Sequence, residues 1–146
     1  MNILKFFHII HNVYFKQKHF IKRKYYSSEG EDLFLKKKLN LKKKGFYVDV
    51  GAYHPIRKNN TMILYQNGWR GINIDANQFS IDLFNFVRPH DVNFNLAISD
   101  KSEKINFYSS KEHDPQATAS KSFLKYDYID KNRKYSKKKI EARTLN

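Results

Sequence analysis

The chain has 146 residues, enough for one domain, and its 40% hydrophobic and 16% aromatic content supports a packed core and excludes a wholly disordered polymer. It holds no cysteine, which excludes disulfides, thiolate metal sites and a cysteine nucleophile; with no argument for an oxidising compartment, a cytoplasmic protein is expected. The formal net charge of +14 lies at the ends: twelve Lys/Arg against three acids before Gly45, six against six over residues 45–110, and ten against five from Lys111 on. Basic ends of this kind bind nucleic acid, anionic lipid headgroups or acidic glycans, or simply solubilise a surface. No arginine-rich helix or aromatic RNA-binding motif occurs, so no specific nucleic-acid site is expected.

Residues 1–20 mix Ile3, Leu4, Phe6, Phe7, Ile9, Ile10, Val13, Tyr14 and Phe15 with Lys5, His8, His11 and Asn12. No run approaches the ~20 apolar residues of a membrane span, and no small-residue cleavage site marks a signal peptide. The segment predicts a short helix docked on the domain. A helix in weak contact with an anionic membrane surface is the alternative, because Lys16, Lys18, Lys22, Arg23 and Lys24 follow. His8, His11 and His19 have no carboxylate among them and read as ordinary surface or interface histidines, not metal ligands. Residues 1–26 are thus an N-terminal helical extension and residues 27–146 the domain.

Ser28-x-x-Glu31 has the spacing of a capping box, and Asp32 adds a second acid in the first turn of a helix through Leu33, Phe34, Leu35 and Leu39. After a lysine run, Phe46 to Val50 is short, β-branched and aromatic, between Gly45 and Gly51: a buried strand ending in a tight glycine turn. Asn60 is the expected N-cap of a helix over residues 61–67, which Gly68 ends. Gly71 to Asp75 is a second apolar strand ending in an acid, 26 residues after Asp49. Asn77 or Ser80 caps the next helix, and Pro89 stops it. Residues 92–99 predict a third strand, and residues 103–109 a further strand running antiparallel after a short turn. Residues 110–136 are polar, with a weak apolar face at Phe123, Leu124, Tyr126, Tyr128 and Ile129. Residues 138–145 read as a strand leading to a new helix.

The chemistry concentrates at Asp49-Val50-Gly51-Ala52. A strand ending in Gly-Ala and followed by a helix is the first half-unit of a nucleotide-binding α/β sheet, in which glycine lets a ligand approach the backbone. The dinucleotide fingerprint is absent, because Tyr53 and Arg57 stand where its later glycines would be. A pyrophosphate needs bare backbone N–H groups, which this bulky loop serves poorly. A ligand with a cationic amino-acid end fits a carboxylate at the strand tip better, and S-adenosylmethionine is such a ligand. The acid ending the second strand of such a unit, here Asp75, takes ribose hydroxyls. The plainer reading of both acids is a turn or helix cap.

The runs F-Y-V-D-V-G-A-Y-H-P, N-N-T-M-I-L-Y-Q-N-G-W-R-G-I-N-I-D-A-N and R-P-H-D-V-N-F-N-L-A-I-S-D together resemble the FkbM-type methyltransferase family. Ser27 to Asp32 resembles that family's S-Q-x-G-E-D lead-in, with Ser28 in place of glutamine. The resemblance spans residues 27–110, with a weaker echo at residues 141–146. It implies an α/β fold with a Rossmann-like class I methyltransferase sheet, incomplete at its C-terminal end, since the family's following I-D-x-E-G-x-E segment is not in the chain. It implies S-adenosyl-L-methionine as cofactor, held by Asp49, Gly51, Ala52, Asp75, Ala76, Asn77, Ala97 and Ser99, with Ala97 and Ser99 at the adenine edge. Glu31 in the lead-in lies beside the pocket in that comparison. The acceptor is a hydroxyl of a sugar, another small molecule or a glycan. His54 is the candidate general base; its plainer reading is a loop histidine bonding backbone. Adjacent His113 and Asp114 read as loop residues, not as a base and its orienter. Two other expectations stand beside this one: a non-catalytic module binding anionic polymer through the lysines of residues 36–44 and 131–139, and an inactive fragment.

Overall fold

The structure, a computed structural model, describes residues 2–16, 18–21, 24–41, 43–126 and 132–145. Lys22, Arg23, Lys42, Tyr128, Ile129, Lys131 and Asn146 fall outside the described residues. The architecture is mixed α/β. Strands β1 (Phe46–Val50), β2 (Arg70–Asp75) and β3 (Val92–Asn95) form a parallel sheet in the order β1-β2-β3. The register pairs Tyr47 with Gly71, Asp49 with Asn73, and Asp75 with Asn95. Parallel neighbours need crossovers, and helices over Met62–Gln66 and Gln78–Val87 supply them. With three helical segments earlier in the chain (α1, Ile3–Ile10; α2, Lys18–Ile21; α3, Glu31–Lys38), these two are α4 and α5.

Side chains alternate across a strand, so this register puts Tyr47, Asp49, Asn73 and Asp75 on one face. Both crossover helices cover that face: Tyr47 packs with Ile63 and Leu64 of α4. The other face carries Phe46, Val48, Val50, Val92 and Phe94, all exposed. Under the helices the polar side chains bond one another, although Asn73 Oδ1 and Arg88 Nε are buried with no partner among the described residues. Asp91 accepts from Tyr47 Oη, from the backbone N–H of Gly71 at 3.0 Å and from Asn73 Nδ2 at 3.0 Å. Burial, with Asp91 as the next cause, raises the Tyr47 phenol. Gly71 must be glycine here, because a Cβ would stand 2.3 Å from the Tyr47 carbonyl oxygen. Gly71→Ala should cost about 1–3 kcal/mol or more, read as a lower urea midpoint.

The main apolar core joins Ile9 and Val13 of the N-terminal segment to Ile56, Met62, Phe79 and Leu83. The docked helix expected there is therefore present, as α1 continued by a π-helical turn over His11–Lys16. Lys5 pairs with Asp82 of α5 at 2.6 Å.

Several local expectations hold. Gly51 has φ +71 and turns the chain after β1. Gly68 has φ +84, and the N–H groups of Gly68 and Trp69 bond Tyr65 O and Leu64 O, closing α4 in a Schellman motif. Asn77 Oδ1 accepts from the N–H groups of Phe79 and Ser80, capping α5. Two caps need correction. The box Ser28-x-x-Glu31 does not form; Ser27 Oγ instead accepts from Gly30 N at 2.9 Å and donates to the buried Asp32 at 2.6 Å. Glu31 accepts from Glu29 N. At α4 the cap position is Thr61, not Asn60, with no side-chain cap bond, and Asn59 Oδ1 accepts from Thr61 N at 3.0 Å in the turn before it.

The largest departure concerns residues 92–99. They form not one strand but two, β3 and β4 (Ala97–Ile98), in different sheets. The second sheet has the order β4-β6-β5, with β5 at Glu103–Ser109 and β6 at Ser136–Arg143. β4 is parallel to β6. β5 is antiparallel to β6, not to the strand just before it. The ladder from Glu103↔Ala142 to Ser109↔Ser136 satisfies seven residues of β5, more than the two-residue β4 could.

Candidate functional site

Two adjoining depressions open at the C-terminal ends of β1 and β2. The smaller, about 160 Å³, is lined by Gly51, Tyr53, Asp75, Ala76, Asn77 and Phe107, with the loop around Asp114 beyond. The larger, about 460 Å³, shares Ala76, Asn77 and Phe107 and adds Asn95, Ser109, Lys111, Glu112 and Lys138. Nothing lies within 4 Å of where a Cβ of Gly51 would stand, so the turn leaves its backbone open on that side.

Asp75 is the centre. Its Oδ2 accepts from Tyr53 N at 2.8 Å and its Oδ1 from Asn77 N at 2.7 Å. Burial raises its pKa; the two N–H donors oppose this and the charge of Asp49 reinforces it. Tyr53 reaches Asp75 only because its backbone is left-handed, at φ +55, a conformation a non-glycine residue holds at a cost. Its ring stacks on His113 with centroids 4.4 Å apart and planes 16° apart, and His113 Nε2 donates to the Tyr53 carbonyl at 3.0 Å. With Nε2 as donor, Nδ1 of His113 is the unprotonated nitrogen. Burial, followed by Arg57 and other nearby cations, lowers its pKa against the opposing bond to Tyr53.

Asp49 shares the sheet face of Asp75 but not its depressions. Its Oδ2 accepts from Thr61 Oγ1 at 2.6 Å and Asn59 Nδ2 at 3.0 Å, which ties the loop after β1 to the strand. Arg88 completes that cluster. It is fully buried and donates to Thr61 Oγ1 at 2.9 Å, to Asn59 Oδ1 at 2.7 Å and to the Pro55 carbonyl.

His54 is fully buried beside them. Its Nδ1 accepts from the N–H groups of Ile56 and Arg57, both at 3.0 Å. The proton is therefore on Nε2, which donates to Asn12 Oδ1 at 3.1 Å. Burial, then the charges of His113, Arg57 and Arg88, pushes the imidazole down to about 3. Both nitrogens are used and neither faces a depression, so His54 organises the loop, as its plainer reading had it. Asp114 does similar work. It accepts from Ser110 and Gln116 and pairs with Arg133 at 2.7 Å. Its own burial raises its pKa, but these partners outweigh that and hold it below the usual carboxylate range.

Of the expected set, Gly51, Asp75, Ala76 and Asn77 come together. Ala52 is buried behind them, its N–H bonded to Ile74 O. Ala97 and Ser99 line neither depression: Ala97 pairs with Ala142, and Ser99 N donates to Arg143 O. Asn95 and Phe107 stand in that part of the wall. Glu31 lines neither depression. Phe107 carried one signal in the sequence, its inward place in the alternation of β5. Tyr53 and His113 carried none, because the stack joins two distant loops. Of the two lysine runs, Lys36 to Lys38 lie in the last turn of α3 and Lys137 to Lys139 on β6. Among the described residues no helix is long and apolar enough to cross a membrane. Compared with family models, curated proteins and solved structures, the chain matches none.

Proposed function

We propose that the chain is the cofactor-binding part of an S-adenosylmethionine-dependent O-methyltransferase with a Rossmann-like sheet. One observation carries the reading: Gly51 and Asp75 border one depression at the C-terminal ends of neighbouring parallel strands. Ligands of open parallel sheets sit at those ends. The sequence resemblance to FkbM-type methyltransferases points the same way. So does the apolar face of β1, β2 and β3 opposite the helices, since parallel sheets normally carry a layer on each face.

The residues fit an adenosyl group on three counts. Gly51 is open where a side chain would intrude. Each Asp75 oxygen accepts one N–H and has capacity for another donor. Ala76 and Phe107 give both depressions a shared apolar wall. In this reading Asp75 holds ribose hydroxyls, Gly51 and Ala76 allow close approach, and Asn77 and Phe107 border the base. Tyr53 and His113 close one side against water, and Asp49 acts indirectly by fixing the loop through Asn59 and Thr61. The bound cofactor supplies a methyl group activated on a sulfonium. The protein's share is alignment and exclusion of water. His54 is excluded as base by its bonds, and none is assigned. The larger depression is polar, with Ser109, Lys111, Glu112 and Lys138, and suits a sugar or glycan hydroxyl.

Calorimetric titration of S-adenosylhomocysteine into the wild type and Asp75→Ala tests this. Binding by the wild type, weakened at least about tenfold in the variant, is expected; tenfold is about 1.4 kcal/mol, just under the ~1.5–3 kcal/mol of one charge-assisted hydrogen bond. No heat for the wild type, or equal affinities for a folded variant, would overturn it.

A further inference from the structure

The N-terminal segment has two apolar faces, and the domain uses one. Ile9 and Val13 are buried, and Phe6 meets Phe86 edge to face at 6.2 Å. On the other side Ile3, Phe7, His11 and Phe15 follow at intervals of four, with Leu4 beside the first. Ile3 is 69% exposed, Leu4 74%, Phe7 60% and Phe15 64%. Steps of four drift by about 40° each around an α-helix. The π-helical turn over His11–Lys16 has more residues per turn and drifts back, so the stripe stays narrow. His11 stacks on Phe15 at 5.9 Å and 16°, extending the aromatic surface.

Single exposed apolar residues are ordinary, but a continuous stripe of large ones marks a contact surface. The charge beside it says what kind. Residues 1–28 contain no acid, and Lys16, Lys18, Lys22, Arg23 and Lys24 follow the stripe. Of the acids that α1 meets elsewhere, Asp82 is paired with Lys5 at 2.6 Å, and Glu112 lies 3.2 Å from His8 Nδ1. A second copy would set two wholly basic segments against each other. A nucleic acid would meet the lysines but give the stripe no apolar layer. An anionic bilayer surface supplies both, headgroups for the cations and an acyl boundary for the apolar side chains.

We propose that this segment docks the domain on an anionic lipid surface, with Ile3, Leu4, Phe7 and Phe15 entering the acyl boundary and Lys16 and Lys18 among the headgroups. The inference is independent of the methyltransferase reading. It is tested by co-sedimenting the full chain with vesicles of phosphatidylcholine, with and without phosphatidylglycerol. Partitioning at least about tenfold stronger onto the anionic vesicles is expected. The Phe7→Ser, Phe15→Ser double variant should lose at least about tenfold of that partitioning. Its circular dichroism and urea midpoint should not change, because both side chains are exposed. The Lys16→Glu, Lys18→Glu variant should lose the preference for anionic lipid. No binding to anionic vesicles, or equal partitioning of wild type and the phenylalanine variant, would overturn the proposal. So would a stripe variant that alters only the oligomeric state in the absence of lipid.

Discussion

Replacing Arg88 by methionine is expected to destabilise the domain by about 3–5 kcal/mol, the usual cost of removing one partner from a buried charged cluster. The guanidinium is fully buried and joins Tyr47 of β1 to Pro55, Asn59 and Thr61 of the loop before α4. Burial lowers its pKa, while Tyr47, Asp49 and Asp91 favour its charged form. Methionine fills much of the volume but leaves the carboxylates of Asp49 and Asp91 without their cation and takes the guanidinium donor from Pro55 O and Asn59 Oδ1, the latter keeping its bond from Thr61 N. Arg88→Lys should rescue little, because a single ammonium cannot reproduce the planar fork. Adding Asp49→Asn to Arg88→Met should recover part of the loss, since it removes one uncompensated charge. Urea unfolding of the three variants measures this. A midpoint for Arg88→Met within error of the wild type would show that the cluster is not structural.

The second large effect is acid destabilisation centred on His54. An unfolded imidazole takes up a proton near pH 6.5, whereas the folded one, held at about 3, does not. Between those values the unfolded state binds more protons, so stability rises with pH and is lost as pH falls. At 1.36 kcal/mol per pH unit the loss is on the order of 4 kcal/mol by pH 3. His113, also lowered, adds in the same direction. Asp75 opposes it, because its raised pKa makes the folded state the better proton acceptor at low pH. Urea midpoints from pH 7.5 to 4.5 should fall steadily for the wild type. In His54→Gln the midpoint should start lower, through lost bonds to Ile56, Arg57 or Asn12, but fall less steeply. A flat wild-type profile over that range would contradict the neutral, Nε2-protonated state derived from the geometry.

The two residues differ in how far their part in the fold could be read along the chain: His54 was legible as a loop histidine bonding backbone, and Arg88 was not. Arg88 follows a helix and precedes proline, so it reads as a helix-terminal cation. Only the closing of β1, β2 and α4 around it turns it into the hub of a buried cluster. Asp49 illustrates the same limit. Its position at a strand tip was legible, but its partners Asn59 and Thr61 depend on how the loop folds back. Asp75 and Gly51 were read more fully, because the features that matter, the end of a strand and a glycine turn, are local.

What the sequence alone determined is short-range: the strands over residues 46–50 and 71–75 from their apolar runs, the turns at Gly51 and Gly68 from glycine's freedom at positive φ, the cap at Asn77 and the N-terminal helix. What only the tertiary structure decided is long-range. Residues 92–99 divide between two sheets because β6, far along the chain, offers β4 and β5 a ladder that nearby residues do not. For the same reason Tyr53 meets His113, sixty residues away. Local preferences are set by a few neighbouring dihedrals. Backbone pairing and burial are settled by whichever distant partner satisfies the most groups at once.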